Sequence, residues 1–192
     1  MSPKEYTQTY TDIGADEFVE RNKFSDVQNA LNYQCAADGL RGLQFDNGSN
    51  VLSTNNGVRG KLETVKSEGL NFPTESGWRV GEKWTANYTV HSDMQMGGGA
   101  SGSADATIEG KSEIVGEESV TVAAGTFQAF KVQTKTVFRY TSVKVNGASV
   151  PMNQTININT NAWHAKNVGM VKSVMTGTVG GATTELLSIN NP

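Results

Sequence analysis

Phe127-Gln128-Ala129-Phe130-Lys131-Val132-Gln133-Thr134-Lys135-Thr136-Val137-Phe138-Arg139-Tyr140 is the stretch on which the fold turns. Phe130, Val132, Thr134, Thr136, Phe138 and Tyr140 fall on one side of an extended chain, and Lys131, Gln133, Lys135 and Arg139 on the other. Successive strand side chains point to opposite faces, so this period of two sets a core-seeking face against a wet one. A helix would scatter the same lysines around its circumference. A strand this long must twist and coil, because the right-handed twist accumulates along it.

Working outward, turn chemistry supplies the punctuation. Asn146-Gly147 stands between Val143-Lys144-Val145 and Ala148-Ser149-Val150, and both residues tolerate the positive φ of a two-residue hairpin. Asn47-Gly48 and Asn56-Gly57 repeat that signal around Val51 and Leu52. Ala123-Ala124-Gly125 separates Ser119–Val122 from the long strand and predicts a three-residue hairpin with a left-handed Gly125. Gln154–Thr160 alternates again, with Ile156 and Ile158 opposing Asn157 and Asn159. Further strands are expected at Glu5–Thr11, Glu17–Asn22, Leu31–Ala37, Leu40–Phe45, Leu62–Glu68, Lys83–Ser92, Ala104–Val115, Met170–Met175 and Thr183–Ile189. Helix has a single opening: Ser25-Asp26-Val27-Gln28 fits a capping box leading through Leu31, against a competing strand through Asn32–Ala36. Met94–Ser103, rich in glycine, reads as an exposed loop between strands.

No repeat, linker or composition break divides the 192 residues, so residues 1–192 are expected to form a single β-rich domain. Such a length holds a core without metal or disulfide staples, and Cys35 is the only cysteine. A net charge of -3 removes the electrostatic case for nucleic acid. No apolar run is long enough for a membrane-spanning helix. Charged residues are only 18% of the chain and Gly numbers 21, which suits a β-protein with many polar turns. Met1–Tyr6 lacks the apolar stretch of a signal peptide. As a natural start it means an intracellular protein; as the start of a mature domain it means an exported one. The Thr/Asn/Gly-rich, Lys/Glu-poor composition favours export.

Chemistry-bearing motifs are weighed against plainer readings. Gly97, Gly99 and Gly102 have dinucleotide-fingerprint spacing, yet a β-type segment follows where a helix N-terminus is required, so no cofactor is expected. His91, Met94 and Met96 offer soft ligands for Cu(I) but no second shell, so no metal is expected. His91 and His164 are too few for a zinc site. Ser101 lacks the final glycine of a nucleophile elbow, Cys35 reads as a buried inert thiol, and Glu117-Glu118 as a solvated turn. No catalytic residue and no enzyme class emerges. Trp84, Ala86, Tyr88 and Val90 share one strand face, which is either core or the lining of a curved sheet.

Gly116–Val132, containing Val120-Thr121-Val122-Ala123-Ala124-Gly125-Thr126-Phe127, resembles a hairpin of TapB-like bacterial envelope lipoproteins of unknown function. Trp163-His164-Ala165-Lys166-Asn167-Val168-Gly169-Met170-Val171-Lys172-Ser173, Thr183–Ser188 and Val80-Gly81-Glu82-Lys83-Trp84 resemble further segments of that family. The similarity spans roughly residues 28–190 and departs at Ala123, usually Pro, and at His164, usually Tyr or Phe. The resemblance implies a secreted or lipid-anchored protein of the bacterial cell envelope, with the lipobox cysteine outside this chain. It also implies a sheet similar to the half-open barrel of lipoprotein carriers, whose concave face accepts acyl chains.

The expectation is therefore an all-β fold, a long curved antiparallel sheet in meander order forming an open half-barrel with little helix. The leading function is non-catalytic binding of a lipid or acyl chain on the concave face. Trp84, Tyr88, Phe130, Val132, Phe138, Ile156, Ile158 and Trp163 are the candidate lining. The alternative is a structural or surface-assembly protein, pairing with itself or an envelope partner through exposed sheet edges.

Overall fold

The computed structural model describes residues 5–24, 27–45, 59–95, 99–152, 155–178 and 180–189. Its strands are β1 (Thr7–Asp12), β2 (Glu17–Phe24), β3 (Val27–Ala36), β4 (Gly39–Gly42), β5 (Arg59–Gly69), β6 (Phe72–Pro73), β7 (Lys83–Gln95), β8 (Ser101–Val122), β9 (Gly125–Val145), β10 (Ala148–Ser149), β11 (Thr155–Ala165), β12 (Gly169–Gly177) and β13 (Gly180–Glu185). Strand accounts for about 75% of the described residues, and the helical content among them is confined to 3-10 geometry, at Glu75–Gly77 and at Gly99.

The strands form two antiparallel sheets, β1-β2-β3-β4-β6 and β13-β12-β11-β9-β8-β7-β5, with β10 paired to β9. The two are one meander with a corner in it. At the end of β5 the Leu70 amide still donates to the Thr85 carbonyl of β7, while the next amide, Asn71, donates to the Leu40 carbonyl of β4. The chain thus leaves one sheet and enters the other within two residues. Gly69 makes this possible: its φ is 84°, and a Cβ there would run into the Thr85 carbonyl oxygen. The all-β antiparallel fold is as expected, and the first sheet is a curled half-barrel.

The sequence alternation at Phe127–Tyr140 becomes the middle of β9, a strand of 21 residues paired along its length with β8, of 22 residues. Two expected strands, Ala104–Val115 and Ser119–Val122, merge into β8. The merger leaves register shifts between Asp105 and Ala106 and between Ile114 and Gly116. Such bulges let a long strand coil without losing its partner. Glu117 and Glu118 accordingly lie in strand rather than in a turn.

Other details depart from the sequence reading. Ala123-Ala124 forms a two-residue turn, because Gly125 (φ 136°) already pairs with Val122. Residues 27–31 belong to β3, so the helix alternative fails there; pairing with β2 from Val27 onward outweighs the local capping pattern. Cys35 is exposed, since it lies at the end of β3 where the partner strand β4 is only four residues long. The turn at Asn146-Gly147 has the expected positive φ values, 48° and 80°. The Asn47-Gly48 and Asn56-Gly57 signals lie outside the described residues.

Apolar burial is divided. On the inner face, towards which the first sheet curls, Trp84, Ile114 and Val132 pack with Leu70, Phe72, Trp78 and Phe130. Beside them Tyr88, Val90, Ala106 and Ile108 pack with Phe45, Leu62, Phe138 and Tyr140. On the outer face, at the tip of the β8–β9 hairpin, Val120, Val122, Ala129, Ala165 and Val171 pack with Phe127, Trp163 and Leu186.

Candidate functional site

Cross-strand register assembles the candidate residues row by row. Ile156, Phe138, Ile108, Tyr88 and Ser67 are successive partners across β11, β9, β8, β7 and β5. The next row is Ile158, Thr136, Gly110, Ala86 and Gly69, and the one after is Thr160, Thr134, Ser112 and Trp84. Ala162, Val132 and Ile114 follow, and then His164 with Phe130. Paired residues of an antiparallel ladder share a face. Seven of the eight candidates, Trp84, Tyr88, Phe130, Val132, Phe138, Ile156 and Ile158, therefore lie on the inner face.

Trp163 does not join them. It is paired with Lys131 on the outer face, where the Lys131 ammonium lies 5.0 Å from its ring centroid and its indole N–H donates to Glu118. Its inward neighbour is His164. The count of two from Ile158 already separates them, and the pull of an apolar tryptophan overrode it in the sequence reading.

The inner residues divide by what holds them. Trp84 and Tyr88 are buried and tied to the corner: the Trp84 indole donates to the Asn71 carbonyl at 2.8 Å, and the Tyr88 hydroxyl to Asn71 Oδ1 at 2.9 Å. The Gly42 amide shares that Oδ1 at 2.7 Å. These are wall. Phe138, Ile156, Ile158, Thr136 and Tyr140 are only half-buried. Phe45 lies edge-on to both Tyr88 and Phe138, at centroid distances of 5.4 and 5.5 Å. The row thus presents an apolar strip, closed at one end by Phe45 and partly open towards β11.

His164 sits at the other end of this face, 5.2 Å from the Phe72 ring and 5.7 Å from Trp78. Trp78 in turn packs on Phe72 and Phe130. Burial pushes the imidazole down to about 4, so it is neutral near neutrality. A proton shuttle is best served by a pKa near the working pH, and this ring packs as an aromatic instead. Phe45, Phe72 and Trp78 were missed as inner-face residues because nothing local marks which rings lie outside the long strands and fold back over them, whereas His164 was readable from the parity of β11.

The other motifs disperse. His91 faces outward between Asp105, at 2.7 Å from Nδ1, and Asp93, at 3.4 Å from Nε2; the hydrogen bond to Asp105 holds its pKa above the ordinary value. Met94 has the opposite parity on β7, so it points away from His91; Met96 lies outside the described residues. Gly102 is inside β8, and strand rather than helix follows it. Two open clefts of about 400 and 380 Å³ lie at the far end of the long hairpin, one between residues 141–143 and 149–152 and one between residues 93–95 and 101–103, and none of the eight candidates lines them.

A family model described as DUF3108-like matches residues 49–175. The chain belongs to the DUF3108-like family. The family is uncharacterised, and its match covers β5 to most of β12, hence all eight candidate residues, while β1 to β4 lie outside it. No curated protein and no solved structure matches the chain.

Proposed function

We propose that this DUF3108-like protein is a non-catalytic envelope protein, secreted or lipid-anchored and akin to the TapB-like lipoproteins, that holds a lipid or acyl chain on the inner face of its half-barrel. The supporting observation is the half-buried strip Phe138–Ile156–Ile158, an apolar surface left accessible while its neighbours Trp84 and Tyr88 are buried and pinned. Soluble proteins rarely leave contiguous apolar surface open without a use for it, and an acyl chain needs only apolar area. No cofactor or nucleic acid belongs to the reading.

Titration with a fluorescent fatty acid tests it. Phe138→Ala should weaken the probe by about tenfold, from the area of one ring withdrawn from the contact. Trp163→Ala, on the opposite face, should leave it unchanged. A wild-type protein that binds no probe refutes the proposal.

One observation favours the second reading, assembly through sheet edges. β13, the outermost strand of the larger sheet, contains no Lys, Arg or Pro, and those are the residues that usually blunt an edge. A protein that ignores the probe yet elutes as a concentration-dependent oligomer, dispersed by Thr183→Pro, would be an assembly subunit.

A further inference from the structure

The first sheet carries a polar cluster that nothing in the acyl-chain reading uses. Glu20 on β2 is the register partner of Tyr10 on β1 and Leu31 on β3. Two residues along the same face, Asn22 is 8% exposed, and its Nδ2 donates to Glu20 Oε1 at 2.8 Å. That bond orients the amide, because a flipped amide would set its oxygen against a carboxylate. Asn22 Oδ1 is consequently buried without a hydrogen-bond partner among the described residues. Glu20, half-buried, forms no ion pair among the described residues. The Tyr33 hydroxyl is also within hydrogen-bond reach of Glu20, so the carboxylate has neutral donors but no cation among the described residues. Buried polar atoms are nearly always paired, and an orphan acceptor beside a carboxylate with no cationic partner asks for a donor from outside.

The surroundings define the donor. Phe18 stacks on Tyr33 at 5.2 Å and meets Tyr10 edge-on at 6.0 Å. Burial, and then the Glu20 charge, push the Tyr10 phenol up to about 12 and the Tyr33 phenol higher still, so both stay neutral. Tyr33 is the register partner of Gly42, where a Cβ would meet the Tyr88 hydroxyl, which places Tyr33 between this cluster and the Tyr88–Ile108–Phe138–Ile156 row. The Tyr10 hydroxyl lies near Gly169 at the start of β12. One carboxylate, one amide oxygen and aromatic faces are too little charge for a calcium-type site, which takes six to eight oxygens. They suit a protonated amine, whose three N–H groups supply both acceptors and whose charge is attracted by ring faces.

We propose that Glu20 and Asn22 are the headgroup end of the inner site, and that its ligand is an amphiphile carrying a protonated amine on an apolar chain. The proposal rests on the acyl-chain reading for the tail. Competition of dodecylammonium and dodecanoate against the fluorescent fatty acid separates the two. The wild type should prefer dodecylammonium by about tenfold or more, the usual scale of a charge-assisted hydrogen bond. Glu20→Gln should abolish that preference with dodecanoate affinity unchanged, and the surface variant Glu63→Gln should retain it. Wild-type protein that binds both amphiphiles equally overturns the headgroup assignment and leaves the acyl-chain reading standing, with no variant needed. A preference that survives Glu20→Gln also overturns it. Protein that binds neither amphiphile removes both readings.

Discussion

Replacing His164 by Phe should take a defined acid sensitivity out of this fold. The imidazole lies among Phe72, Trp78 and Phe130, and burial lowers its pKa from 6.5 to about 4. Between those values the unfolded chain holds a proton that the folded chain does not. The stability tied to this residue is therefore intact above the unfolded pKa, falls as pH drops through the window, and levels off below the folded one. At about 1.4 kcal/mol per unit, the full loss is about 3 kcal/mol. Other groups move on acidification too. Lys166 and Lys111 hold Glu75 and Glu109 below the usual carboxylate range, so those exposed pairs also weaken at low pH. His91, raised by Asp105, works in the opposite direction, its contribution fading only as pH rises through the raised value. Comparing wild type with His164→Phe cancels these shared contributions. Urea unfolding at about pH 7 and about pH 4 should show the wild type losing about 3 kcal/mol more than the variant. Phe keeps an aromatic ring at this position among Phe72, Trp78 and Phe130, so the packing should accept it. Identical pH dependence in the two proteins would refute the burial argument.

Gly69→Ala should cost at least about 2 kcal/mol, because left-handed backbone and a carbonyl contact coincide at the corner; Gly116→Ala, with nothing within 4 Å of its Cβ, is the neutral control. Thermal melts of the pair check this, and equal melting points would contradict the proposed corner. Ile114→Ala should cost about 2–5 kcal/mol and Val115→Ala little, since the bulge leaves the first 0% exposed and the second 40%. Denaturant midpoints with unchanged slopes would carry that comparison, and the reverse ranking would show the register to be wrong.

Much of the fold was legible in the chain because its signals are local. The parity of Phe130–Tyr140 and of Ile156–Asn159 depends only on the period of a strand, and Asn146-Gly147 only on tolerance of positive φ. Each is satisfied by neighbours within a few residues. The same parity placed seven of the eight site candidates on one face. Trp163 was misplaced where hydrophobicity was allowed to outvote the count of two, although an indole over Lys131 with its N–H on Glu118 is well housed outside. The merger of two strands into β8 was illegible because a bulge looks, from the sequence, like a break.

Local pattern in the chain fixes the class of fold, the meander of the long strands and their faces. Those follow from the backbone's period and from its turn residues, which act over short distances. Long-range packing decides which rings close the inner face: Phe72 and Trp78 arrive there through the corner at Gly69–Asn71, and Phe45 from just beyond β4, where its amide donates to the Thr64 hydroxyl. It alone showed that Trp84 and Tyr88 are wall while Phe138 and Ile156 remain accessible. It alone left Asn22 Oδ1 buried beside Glu20 without a partner among the described residues. Burial and pairing belong to contacts between distant segments, and the chain's local pattern carries no record of them.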